Sequence, residues 1–118
     1  MKKLVLAFGA SASLAVLLSV NLAAQKPQTF NGEIMDQQCA LLGGHSAMHN
    51  QGESDKDCTI RCVGMGGKYV LFDSGSKTVY QLDDQKKPQT FAGAKVQVTG
   101  TLDSSTKTIH VANIKAAS

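Results

Sequence analysis

Polar and apolar residues alternate through the second half of the chain. Lys95 to Leu102 (KVQVTGTL) puts Val96, Val98, Gly100 and Leu102 on one face, and Thr108 to Ile114 (TIHVANI) does the same with Ile109 and Val111. A period of two marks a strand with one buried side. The polar stretch Asp103 to Lys107 between them predicts a turn, and so a hairpin. Upstream, Tyr69–Phe72 (YVLF) and Thr78–Leu82 (TVYQL) flank the turn Asp73-Ser74-Gly75-Ser76 and predict a second hairpin. Thr29 to Met35 (TFNGEIM) aligns Phe30, Gly32 and Ile34, so a strand comes first as well. Gly32 within it points to a bulge or a close backbone approach. Pro88 excludes a central strand over residues 83–88, and Phe91-Ala92-Gly93 reads as a short turn plugging one end of a core.

Between the first two strands the period of two is lost. Asp36 to Leu42 predicts a turn or two of helix closed by Gly43-Gly44, and His45 to Glu53 reads as a polar loop. Ser54 then offers a helix cap, with Asp57 in the position of the capping-box acid. The helix is expected to run to about Val63 and to stop at Gly64, Gly66 and Gly67. Asp57 and Arg61 stand four apart on it, a weak surface pair. Five short strands in mostly hairpin order predict a mainly β protein: a small five-stranded OB-like barrel with a short helical insertion between strands 1 and 2. An SH3-like barrel or a small sandwich is the alternative. Gly100 in mid-strand suits the coiling a small barrel requires.

The first residues follow other rules. Lys2 and Lys3 precede an apolar run from Leu4 to Val20, and Leu22-Ala23-Ala24 supplies small residues before Gln25. That is the layout of a secretory signal peptide, residues 1–24, with cleavage after Ala24. It leaves residues 25–118 as one OB-like domain without a stable membrane anchor, exported to the periplasm or the extracellular space. Removing Lys2 and Lys3 takes the formal charge from +3 to +1, which removes the electrostatic case for nucleic acid or an anionic membrane. The chain has no Trp, so the stacking surface of single-strand binders is missing too.

The candidate chemistry lies in Cys39 to Cys62, which holds all 3 cysteines and two of the 3 histidines, His45 and His49. On a helix Cys58 and Cys62 share a face, with Cβ atoms about 5–6 Å apart. A disulfide needs about 3.8 Å, so these two are not expected to pair with each other. Two readings stay open. In one, Cys39 bonds to Cys58 or Cys62 and staples the domain, which an oxidising compartment favours. Closing such a loop is worth roughly 3 kcal/mol. In the other, Cys39, Cys58 and Cys62 with His45 or His49 form a Cys3His metal set. Its tetrahedral form suits zinc, and thioethers nearby (Met35, Met48, Met65) suit cuprous copper. No catalytic residue is assigned: the chain carries no Cys-x-x-Cys, and no third group orients a Cys–His pair. A thiol-dependent enzyme ranks third. His110 is expected on the solvated face of the last strand, and Asp83-Asp84 in a turn.

The order of these pieces resembles a family of short exported bacterial proteins of unknown function with an OB-like barrel. The matching segments are GEIMDQQCA (Gly32–Ala40), the His-containing loop, CTIRCVGMGGKYVLFD (Cys58–Asp73), VYQLDD (Val79–Asp84), FAGAKVQVTGTLD (Phe91–Asp103) and TIHVANI (Thr108–Ile114). The resemblance implies export and the fold but supplies no activity. Locally, Cys-x3-Cys with a distal His also resembles the copper site of some exported copper chaperones, although those have a thioredoxin fold and a Pro where Val63 stands here. The function expected is an exported binding module for a soft metal, Cu or Zn. The alternative is a stapled barrel that binds a protein or envelope partner.

Overall fold

A computed structural model describes residues 26–118; the expected signal peptide lies outside the described residues. The order of elements is β1 (Gln28–Asp36), α1 (Gln37–Leu41), a 3-10 turn (His45–Ala47), α2 (Asp55–Gly64), β2 (Tyr69–Asp73), β3 (Thr78–Leu82), a second 3-10 turn (Lys87–Phe91), β4 (Lys95–Asp103) and β5 (Thr108–Ala116). Among these residues no helix is long and apolar enough to cross a membrane.

The strands close into a barrel in the order β1-β2-β3-β5-β4. All pairings are antiparallel except β3 with β5. This is the five-stranded OB-like arrangement expected from the alternation. Closure depends on β1. Its first half pairs with β4 and its second half with β2, and Glu33 faces both Lys95 and Phe72. Gly32 sits at that switch, and a Cβ there would come within 2.5 Å of the Phe72 carbonyl oxygen. The glycine therefore marks the close approach foreseen for it. The stretch Lys87–Phe91 is a 3-10 turn, with Pro88 buried near its start. Pro suits that position because its missing N–H has no helical partner to lose.

Two layers of core share β1 and β2. Inside the barrel, Ile34, Leu71, Val96, Val98 and Ile109 are completely buried, with Leu82 and Ile114 beside them. On the outer side, Met35, Val70 and Phe72 pack against Ala40, Cys39, Cys58 and Cys62. So YVLF is an unbroken apolar run because both of its faces are covered. One expectation needs refinement. Val111 is only partly buried, and the deeply buried residue further along β5 is Ile114. The pairing of β4 and β5 slips between Thr99 and Gly100, so the inward phase of β5 shifts by one residue. At Gly100 a side chain would collide with the His110 carbonyl, which is why glycine stands at the slip.

Candidate metal centre

The insertion is built from two capped helices. Asp36 caps α1: its Oδ2 accepts hydrogen bonds from the backbone N–H of Gln38 (2.9 Å) and Cys39 (3.3 Å). Ser54 caps α2 by accepting from Asp57 N–H at 3.1 Å, as its position suggested. The expected Asp57–Arg61 pair is not made. Arg61 instead donates from Nε to Glu53 Oε1 (2.8 Å) and from Nη2 to Glu53 Oε2 (3.0 Å) and the Met48 carbonyl (2.7 Å). A two-pronged contact with a carboxylate beats the one-pronged pair that Asp57 would give. It also fastens the loop before α2 onto the helix.

These caps aim three thiols at one point. Cys39 comes from α1, and Cys58 and Cys62 come from successive turns of α2. Their sulfur atoms all lie within 4.8 Å of one another. All three are buried and all three are free thiols. The disulfide expected as one reading is therefore not formed. Each cysteine faces the other two in one apolar pocket, instead of one being set aside from a bonded pair. Burial pushes the Cys39 thiol up to about 12, and negative charge on Cys62 and Cys58 adds to the effect. Cys58 is also raised, again chiefly by burial. Both are thus protonated at neutral pH, and Arg61 Nη2 stands 4.0 Å from the Cys58 sulfur.

Asp36 bears on the same pocket. Its Oδ1 is buried and meets no hydrogen-bond partner. It lines a small cleft with Cys62, Met48, Met65 and Gly67. Gly67 is required here, because a Cβ would overlap Asp36 Oδ1 and crowd the Cys62 carbonyl. Met48 packs against the outer core cluster that contains the thiols, whereas Met65 is 69% exposed and flanks the mouth of the cleft.

The histidines are placed elsewhere. His45 and His49 are not grouped with the thiols; His45 gathers with Glu33 and Asp55. His45 Nε2 is 3.3 Å from Glu33 Oε1 and 4.0 Å from Asp55 Oδ1, and His49 Nε2 is 3.4 Å from Asp55 Oδ1. The structure thus divides the five sequence candidates into a sulfur group and a nitrogen–oxygen group. Sequence reasoning missed Glu33, Asp36 and Asp55. One signal was available: Glu33 is on the same face of β1 as Met35, the face that looks toward the insertion. His110 is exposed as expected and meets Asp83 Oδ2 at 3.1 Å, while Asp84 caps a turn through the N–H groups of Lys86 and Lys87.

A family model described as a protein of unknown function (DUF5818) matches residues 63–117. The match begins just after Cys62, so it covers β2 to β5 and none of the cysteines. No curated protein and no solved structure matches the chain.

Proposed function

We propose that the protein is an exported binding module that holds a soft metal ion, with cuprous copper as the preferred ion, through Cys39, Cys58 and Cys62. One observation carries the reading: three free, buried sulfurs from two helices lie within 4.8 Å of one another. Metal–thiolate bonds of about 2.3 Å put three ligand sulfurs roughly 3.8–4.0 Å apart. Closing the set onto an ion therefore needs at most about 1 Å of movement by that geometry. Copper is favoured over zinc by the donor count. Zinc in structural sites takes four ligands, and neither histidine is grouped with the sulfurs. Three soft donors, with Met48 packed against the cluster that holds them, suit Cu(I). The cleft beside Cys62 and Met65 gives the ion a way in.

Exposed leucines favour a second, compatible role. Leu41 and Leu42, two and three residues after Cys39, are 63% and 54% exposed, and apolar residues at such a place suit a protein or envelope partner that exchanges the ion. The main reading is tested by anaerobic titration of the reduced chain with Cu(I) and, separately, Zn(II), against a competing chelator. One equivalent of Cu(I) bound far more tightly than micromolar is the expected result. Failure to bind either ion at that strength sinks the reading.

A further inference from the structure

A second group of ligating side chains stands apart from the sulfurs. Glu33 comes from β1, His45 from the 3-10 turn and Asp55 from the first turn of α2, and one donor atom of each lies within 4.8 Å of the others. Carboxylates near an imidazole are common on protein surfaces, and an ordinary ion pair would account for many of them. His45 argues otherwise. Its side chain is only 10% exposed, and neither ring nitrogen has a hydrogen-bond partner. Glu33 Oε1 is 3.3 Å from Nε2, yet the approach is not aligned as a hydrogen bond. Two donors this close that do not bond each other are both free to bind a common third atom.

The spacing says what that point would hold. Bonds of about 2.0–2.2 Å from N and O donors to a tetrahedral divalent ion put neighbouring donors roughly 3.3–3.5 Å apart. The contact from His45 Nε2 to Glu33 Oε1 matches at 3.3 Å, and that to Asp55 Oδ1 is somewhat wide at 4.0 Å. His49 Nε2, 3.4 Å from the same Asp55 oxygen, is likewise buried without a hydrogen-bond partner and stands beside the group. That side opens onto a shallow cleft lined by His45, His49, Asn50, Gly52 and Asp55.

We propose that Glu33, His45 and Asp55 form a second metal site, for a borderline divalent cation of the zinc class, with the His49 nitrogen beside it. Its imidazole and carboxylate donors are harder than three thiolates, so the two sites sort ions by softness: Cu(I) to sulfur, Zn(II) to nitrogen and oxygen. α2 links them, since Asp55 opens the helix and Cys58 follows one turn later. An ion here would tie the loop over residues 43–54 to both the barrel and the helix.

Cobalt(II) serves as a visible probe for zinc. The reduced wild-type chain is titrated anaerobically with Co(II), with and without prior loading of one equivalent of Cu(I). In both cases the expected result is one equivalent bound with tetrahedral d–d absorption and no sulfur-to-cobalt charge-transfer band from this site. His45→Gln and Glu33→Gln should each abolish that equivalent, and His49→Gln should weaken it. Zn(II) added to the wild-type chain should shift the ring resonances of His45, a readout that needs no variant to fold. The proposal is overturned if all bound cobalt shows sulfur charge transfer, if His45→Gln binds as the wild type does, or if zinc leaves the His45 ring unmoved. A chain that takes Cu(I) but fails these tests loses only this site. One that passes them without binding Cu(I) loses only the trithiol reading.

Discussion

The two sides of β1 and β2 are buried by different means. The inner side meets the barrel interior, where Ile34 and Leu71 lie among Val96, Val98 and Ile109. The outer side meets the helical insertion, where Met35, Val70 and Phe72 lie among three thiols. Barrel contacts are made by branched aliphatic side chains with no alternative use. Insertion contacts are made partly by groups that titrate, ligate and carry charge. The first region gains stability from simple removal of apolar surface. The second places a buried carboxylate oxygen without a partner in a cleft it shares with Cys62. One side is a scaffold, and the other is a site that uses the scaffold as its floor.

The largest effect is expected from breaking the scaffold. Val98 is fully buried in β4 opposite Phe30 of β1 and Ile114 of β5. Val98→Asp would bury a charge with no partner, a cost of several kcal/mol that a small domain cannot absorb. The variant should lose its cooperative melt by circular dichroism and, with it, metal binding at both sites. Wild-type melting behaviour would mean that the inner side is not the scaffold.

That asymmetry also explains what could be read in advance. The barrel was legible because a period of two survives wherever one side of a strand is wet, as in Lys95–Asp103, with its alternation of buried and half-buried residues. Strand ends fell within a residue or two for the same reason. The phase slip at Thr99/Gly100 was hidden, because periodicity carries no register, and Gly100 alone marked the place. In the insertion, caps and glycines gave the helices, and the cysteine spacing gave the face shared by Cys58 and Cys62. Where Cys39 meets them depends on the path of the chain from β1 through α1, which no local pattern states. The same holds for the histidines. Glu33 and Asp55 are far apart in sequence, and only the fold brings them to His45. The expected export signal lies outside the described residues.

A smaller effect, confined to the outer side, is expected from Cys39→Ser. Replacing a buried thiol by a hydroxyl that lacks a partner should cost the metal-free protein about 1–3 kcal/mol, leaving a cooperative melt. The sharper readout is the pH dependence of Cu(I) affinity. Cys39, raised to about 12, and Cys58, also raised, both carry protons at neutral pH. Each must release one to bind metal, so affinity falls as pH falls. Over neutral pH the logarithm of the wild-type affinity should rise by at least about two per pH unit, one for each of these thiols. Cys39→Ser should lower the affinity and reduce that slope by about one. An unchanged slope would remove Cys39 from the ligand set.

The smallest effect concerns the clasp that holds the loop to α2. Glu53 accepts from both Arg61 Nε and Nη2 and from the backbone N–H of Asn50. Those bonds, with Arg61 first, hold its carboxyl down to about 2 from an ordinary value of 4.5. A depressed carboxyl favours the folded state where it is ionised. Its contribution is therefore complete above about pH 4.5 and disappears as pH falls through about 2. Glu53→Gln removes the charge at every pH. The wild type should accordingly melt slightly higher than Glu53→Gln near neutrality, and the gap should close as acid titrates the wild-type carboxyl. The hydrogen bonds of this pair stay within the insertion, so hydrogen exchange near neutrality should quicken in residues 43–54 and stay unchanged in β4 and β5. Arg61, freed from Glu53, would still lie near the Cys58 sulfur, so Cu(I) affinity should move little. A gap that persists at pH 2, or quickened exchange across the barrel, would show that the clasp is not confined to the insertion and would erase the division between scaffold and site.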